Sequence, residues 1–310
     1  MLRNTLLYLS NQQRLFNFVR NNRYAKRLAG RFVAGESIED ALDVVVGLNA
    51  RGITASLDLL GESVRNEDEA RAAGREYLTA LDRINERKLD ANVSVKLTAM
   101  GLDVDEDLCV EVMHAIVGRA SEYGTFVRID MEGRDYTERT LRIFYDRLYP
   151  AYGPHVGIVL QSYLYRTDDD VRRAIAARCR VRLCKGAYQE PPEVAYPKKK
   201  DVDASYVRGM QALMREGNYP GLATHDERII DAAKRFANAE GISTDRYEFQ
   251  MLYGVRRDLQ DELIAAGYRV RVYVPFGTQW YPYLMRRLAE RPANVMFMTG
   301  SLLREAVRRR

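Results

Sequence analysis

Tyr283, Arg286, Arg287 and Glu290 stand at i, i+3, i+4 and i+7 in the stretch YPYLMRRLAE. That spacing puts all four on one stripe of a helix whose remaining surface, Leu284, Met285, Leu288 and Ala289, is apolar. Two adjacent guanidiniums suit a carboxylate, which the planar fork of arginine binds bidentately. The plainer account is a solvated stripe in which Arg286 and Glu290 pair for about 0.2–0.5 kcal/mol. A second set of groups lies upstream: Lys96, Asp130, Gln161, Arg182, Lys185, His225 and Tyr273 each fall near the C-terminal end of a short apolar run. In four of those runs polar and aliphatic residues alternate. Arg269, Arg271 and Tyr273 stand against Val270, Val272 and Val274, Arg180 and Arg182 against Val181 and Leu183, Arg128 and Asp130 against Val127 and Ile129, and Ser94 and Lys96 against Val95 and Leu97. A strand with that pattern carries charge on one face. A buried charge costs several kcal/mol unless paired, so such a face must neutralise itself, for instance through Asp130 with Arg128 or Arg182, or meet a charged ligand.

Eight runs rich in β-branched residues could position these groups, at 52–60, 92–99, 125–131, 155–163, 179–186, 221–226, 247–254 and 268–277. Stretches with apolar residues three and four apart, such as 67–87 and 228–241, fill the gaps between them. Eight strand-helix alternations over about 250 residues predict an α/β fold of the (β/α)8 TIM-barrel type rather than an open doubly wound sheet. Residues 1–48 read as an N-terminal helical segment packed on the barrel, and 49–310 as the catalytic barrel itself. A parallel barrel ordinarily fills its centre with aliphatic layers, so charge at the C-terminal strand ends, where barrel active sites are built, is the informative departure. The helix after the eighth run can then lie across the mouth and aim Arg286 and Arg287 inward. PPEVAYPKKKDVD, residues 191–203, reads as a solvated loop, with a cover over the mouth as the alternative. GSLLREAVRRR, residues 300–310, reads as a short helix whose arginines favour its C-terminus.

Composition narrows the class. A chain of 310 residues, 46% hydrophobic and 29% charged, can bury a full core. No stretch approaches the ~20 apolar residues of a membrane span, and the start lacks a signal-peptide core. A cytoplasmic protein is expected, with the basic tail available for peripheral contact at the inner face of the membrane. The net charge of +5 comes without aromatic-basic interleaving, which argues against nucleic acid as a partner. Cys109, Cys179 and Cys184 form no CxxC pair and read as reduced thiols. His114, His155 and His225 show no metal-ligand spacing, so no metal is expected.

The strings SVKLTAMG, RIDMEG, LQSYLYR, VRLCKGAY, ATHD, FQMLYG, VRVYVPFG and YLMRRLAERPAN resemble, in order, the successive barrel-strand motifs of the proline dehydrogenase family. That resemblance implies a distorted barrel that binds FAD, oxidises L-proline to Δ1-pyrroline-5-carboxylate in the first step of proline catabolism, and passes electrons to a quinone at the membrane surface. Carried over position by position, it implies that Arg286 and Arg287 clamp the proline carboxylate with help from Lys96, and that Asp130 and Arg182 are the catalytic pair. Tyr273, Leu252 and Tyr283 become the wall around the substrate ring. Met131, Gln161, Arg182, Lys185, Gly186, Ala187, Tyr188, Thr224 and His225 become contacts to FAD. Glu62, just after the first strand, is expected to pair with Arg286 or Arg287 as a gate when the last helix closes.

Bifunctional family members usually carry Trp where Gln189 follows Tyr188, and the chain has no room for an aldehyde dehydrogenase domain. A single-function enzyme is therefore expected, with a separate pyrroline-5-carboxylate dehydrogenase consuming its product. Two rivals use the same residues. One is a Schiff-base lyase with Lys96 or Lys185 as the attacking amine, and the other is a carboxylate-binding protein that turns nothing over.

Overall fold

The computed structural model describes residues 29–61 and 63–290, without the side chains of 286–290. Glu62, the side chains of Arg286, Arg287 and Glu290, residues 1–28 of the N-terminal segment and the tail at 300–310 lie outside the described residues.

All eight expected strands form, and each pairs in parallel with its neighbours to close one barrel. They are β1 (Thr54–Leu59), β2 (Ala91–Val95), β3 (Val127–Ile129), β4 (Val156–Gln161), β5 (Arg180–Cys184), β6 (Gly221–Ala223), β7 (Glu248–Leu252) and β8 (Val270–Phe276). β8 returns to β1 over six residues, from Thr54 opposite Arg271 to Leu59 opposite Phe276. The driving force for burial sits outside the barrel. Leu57, Val93, Val95, Ile129, Ile158, Leu183, Leu222, Phe249 and Val272 are all buried in the core that joins the sheet to its helices. Each such aliphatic side chain contributes about 1.5–3 kcal/mol when fully buried. Along the same strands the alternate positions face the barrel axis and are largely polar, among them Ser56, Asp58, Asn92, Ser94, Arg128, Arg182, Glu248, Gln250 and Arg271, every one buried.

Several helices begin where local sequence supplies an acceptor for their free backbone amides. Ser37 caps Ile38–Asn49 in a capping box with Asp40, Asn66 caps Glu67–Glu86, and Asp105 caps Glu106–Glu122. The Ile38–Asn49 helix packs on β1 and β8, so a helix that precedes the barrel in sequence covers the seam where the barrel closes. The segment before it is stitched to the rim: Ala34 N–H donates to Pro275 O, and Gly277 N–H donates to Gly35 O. At Gly254, which has a φ of +74°, a Cβ would lie 1.6 Å from the Arg31 carbonyl oxygen, so only glycine allows this close approach.

The helix after β8, Trp280–Glu290, starts with buried Trp280, Tyr281, Tyr283, Leu284 and Met285. Trp280 Nε1 donates to Glu36 Oε1 at 3.1 Å, tying this helix to the same N-terminal segment. The 191–203 stretch is only partly loop. Ala195 bridges to Leu164, and the helix Lys199–Glu216 begins inside it, so its basic end is a first helical turn.

Candidate active site

At the C-terminal end of the barrel a pocket of about 660 Å³ opens, lined by strand ends, by the turn after β5 and by Tyr283. Its floor is a charged network. Arg182 Nη1 donates to Asp130 Oδ1 at 2.6 Å and to Ser94 Oγ at 3.0 Å, and its Nε donates to Gln250 Oε1 at 2.5 Å. Tyr273 closes the other side of Asp130, donating to Oδ2 at 2.8 Å, and the Arg182 guanidinium lies 5.2 Å from its ring centre. Burial, together with the charges of Asp130 and Asp58, pushes the Tyr273 hydroxyl well above its ordinary range, so it remains a neutral donor. Next to this set, Lys96 Nζ donates to Asp58 Oδ1 at 2.9 Å. Burial pushes the Asp58 carboxyl upward, and the Lys96 charge works against that shift. Two anions and two cations thus cancel on the floor.

The rim repeats the balance. Lys185 Nζ lies 2.6 Å from Asp203 and 2.8 Å from Asp226, and Lys199 also reaches both carboxylates. Burial opposes the charge on Asp203 and Asp226, but the two lysines prevail and hold both below the usual carboxylate range. An amine held as an ion-paired ammonium has no lone pair for attack, which disfavours Lys96 and Lys185 as Schiff-base nucleophiles. The walls between floor and rim are apolar, with Met131, Val159, Ala223, Met251 and Leu252. Cys184 lines the same wall, and burial pushes its thiol up to about 12, so it is inert there. His225 Nε2 accepts from Leu252 N–H at 3.0 Å, which places the proton of the neutral ring on Nδ1.

Comparison with known proteins decides what this pocket belongs to. A family model described as proline dehydrogenase matches residues 41–300. The chain belongs to the proline dehydrogenase family. A proline dehydrogenase of Deinococcus radiodurans is 45% identical over 280 residues, covering 89% of this chain and 90% of that one. Proline dehydrogenase 1 of Bacillus subtilis strain 168 is 41% identical over 306 residues, covering 98% of this chain and all of the relative. Among solved structures, proline utilization A of Bdellovibrio bacteriovorus, inactivated by N-propargylglycine, superposes with a TM-score of 0.80 at 27% identity. The match spans 85% of this chain and 32% of that one. The molecule is thus an oxidoreductase, a proline dehydrogenase with proline as its substrate, and the relatives that it matches end to end are proline dehydrogenases rather than bifunctional proteins.

In this proline dehydrogenase the pocket gathers Lys96, Asp130, Met131, Arg182, Lys185, Gly186, Ala187, Tyr188, Thr224, His225, Leu252, Tyr273 and Tyr283. Gln161 does not line it. The Gln161 side chain is buried, with Nε2 donating to Glu132 O at 2.8 Å and Oε1 without a hydrogen-bond partner among the described residues. Arg182 and Tyr273 sit mid-strand rather than at strand ends, because β8 runs three residues past Tyr273 and β5 two past Arg182. Of the two partners open to Asp130, the structure selects Arg182. Arg128 lies a layer lower, donating to the carbonyls of Ile158 and Arg180 with its guanidinium near the Phe126 ring.

The sequence reading missed Asp58, Gln250 and Glu248 inside the barrel, and Lys199, Asp203 and Asp226 at the rim. Ser56 and Asp58 alternate with Ala55 and Leu57, and Glu248 and Gln250 with Phe249 and Met251, in the same period of two that exposed the other charged strands. At the rim only Lys199 and Asp203, i and i+4 on one helix, form a local pattern, and Lys185 and Asp226 join them from two other segments.

Proposed function

We propose that this proline dehydrogenase holds FAD in the barrel mouth, oxidises L-proline to Δ1-pyrroline-5-carboxylate, and delivers the electrons to a quinone. The observation that carries this reading is the pocket itself, with apolar walls above a charged floor whose cations and anions already cancel. FAD, when bound, supplies the acceptor for the hydride that leaves C5 of proline.

The residues present fit such a group. Met131, Gln161, Arg182, Lys185, Gly186, Ala187, Tyr188, Thr224 and His225 would hold it. Gln161 Oε1, which has no hydrogen-bond partner among the described residues, is a buried acceptor suited to a donor on such a group. At Gly186, with a φ of +113°, a Cβ would come within 2.4 Å of the Tyr163 ring, so the backbone is bare where the pocket wall turns.

Because the floor is neutral, a substrate carboxylate needs cations from elsewhere. Arg286 and Arg287, on the helix whose Tyr283 already lines the pocket, are proposed to bind it, with Lys96 assisting. Leu252, Tyr273 and Tyr283 would press the substrate ring flat, fixing C5 more by orientation than by proton transfer. Asp130 and Arg182 would hold the charge pattern beneath it, with Arg182 placed to stabilise negative charge that develops during reaction.

Glu62 is proposed as the gate on Arg286 or Arg287, and Glu62→Ala is expected to weaken proline binding severalfold, read as a rise in KM. Unchanged affinity and turnover would dispose of the gate. A membrane quinone as acceptor and a separate dehydrogenase for the product complete the proposal. No helix among the described residues is long and apolar enough to cross a membrane, so electron delivery would take place at a surface.

A visible spectrum of the purified protein, recorded anaerobically before and after substrate, tests the reading. Two flavin bands that bleach with L-proline and not with D-proline are expected. A protein with no flavin bands after purification and added FAD would leave the barrel and its charged floor without this chemistry.

A further inference from the structure

Asp58, on β1, is the least exposed charged group of the pocket floor, at 1% of its side-chain surface. Its Oδ1 accepts from Lys96 Nζ at 2.9 Å across the β1–β2 pairing, in which Asp58 stands opposite Ser94. The groups around the pair come from four elements: Asp130 after β3, Tyr273 on β8, Arg182 on β5, and Tyr77 from the Glu67–Glu86 helix, whose hydroxyl donates to Ser94 O at 2.9 Å. Asp130 carries charge nearby, but its oxygens are taken up by Arg182, Ser94 and Tyr273. Asp58 is therefore, among the described residues, a carboxylate placed to serve Lys96.

We propose that Asp58 is a positioning residue for proline binding: it holds Lys96 as an ammonium at the pocket floor, so that the lysine meets the substrate carboxylate even at alkaline pH. The inference rests on the reading of Lys96 as a contact to that carboxylate. The Lys96 side chain is 12% exposed, and an ammonium stripped of water to that degree loses its proton more readily unless an anion faces it. Asp58 is that anion, buried where solvent screens it little. Its anchoring oxygen also fixes where Nζ points.

The sign follows from the charge. Removing the negative group from beside a lysine disfavours the ammonium, so its proton is lost at lower pH. Asp58→Asn keeps the shape and an acceptor oxygen while removing the charge. Its KM for L-proline is expected to rise relative to wild type as pH goes from 7 to 10, reaching about tenfold for each unit above the lowered lysine value, with kcat changed much less. Asp58→Ser carries the same expectation should the asparagine variant fail to fold, and thermal melting reports folding in each case.

Combining Asp58→Asn with Lys96→Arg is expected to remove the alkaline rise, because a guanidinium stays charged without help. Wild type measured alongside carries the titration of the substrate amine. If Lys96→Met raises KM but both charge-removing variants follow wild type at every pH, the role of Asp58 is overturned while the carboxylate-contact reading stands. If Lys96→Met leaves KM unchanged, the contact reading fails and takes this inference with it.

Discussion

Arg182→Met is expected to lower kcat/KM for proline by about 100- to 1000-fold, the range for removing one preorganised electrostatic donor from a closed site. Methionine roughly keeps the length of the side chain and its packing against the Tyr273 ring, so the loss falls on charge and hydrogen bonds. Four polar groups lose a donor at once: Asp130, Ser94, Gln250 and, at 3.5 Å, Ser56. Asp130 would then keep only the hydroxyls of Ser94 and Tyr273, and two neutral donors do not offset a buried anion as a guanidinium does. The floor would also shift from neutral to net negative, which repels a substrate carboxylate. The lost donor acts on the transition state and lowers kcat, and the repulsion acts on bound substrate and raises KM, so kcat/KM should fall further than kcat. Steady-state kinetics on protein whose fold is verified by thermal melting measures this, and a variant within tenfold of wild type would remove Arg182 from the chemistry.

Glu248→Gln is expected to destabilise the fold by about 3–5 kcal/mol at neutral pH, the usual result of removing one partner from a buried ion pair. Glu248 is 2% exposed and accepts from Arg271 Nε at 2.8 Å, Gln250 Nε2 at 2.6 Å and Tyr219 OH at 3.2 Å. Its charge also favours the protonated forms of Arg128 and Arg180, which burial depresses and which gather with Arg271 around the Phe126 ring. Losing this carboxylate leaves the lower barrel with clustered guanidiniums and no facing anion of that strength.

The pH dependence has a definite sign. Burial opposes the charge on Glu248, but Arg271 and the hydrogen bonds from Arg271 and Gln250 prevail, so its carboxyl lies below the ordinary glutamate value of 4.5. A group depressed on folding contributes stability that is fully present above its unfolded value and is lost as pH falls toward its folded one. The stability gap between wild type and Glu248→Gln should therefore be full at pH 7 and narrow below about pH 4.5. Denaturant titrations of both proteins across that range test it, and a gap that does not change with pH would mean Glu248 is not ionised in the folded barrel.

Much of this architecture is legible in the chain because strand alternation and helix periodicity are local. Val270, Val272 and Val274 against Arg271 and Tyr273 reveal an inward and an outward face without any knowledge of neighbours. The eight runs announced a barrel in the same way, and all eight strands form inside them, β2 alone starting one residue early. The same local signal is present for Asp58 in β1 and for Glu248 and Gln250 in β7, where polar residues alternate with aliphatic and aromatic ones.

What the sequence alone determined, then, is the number of strands, the side of each strand that carries charge, and, through ordered motifs, the family. Which charges meet was decided by tertiary structure. Asp130 and Arg182 lie 52 residues apart and Arg182 and Gln250 lie 68 apart, and nothing in either local pattern prefers Arg182 over Arg128 for Asp130. The stagger of the closed sheet makes that choice. It lifts Arg182 to the level of Asp130 and leaves Arg128 a layer below, against backbone carbonyls and Phe126. Barrel closure likewise brings β8 beside β1, so that a helix from before the first strand covers the seam and the last helix can reach the mouth. A stagger is a property of all eight strands together, set by how their outer aliphatic faces pack under the helices, and no single stretch of the chain contains it.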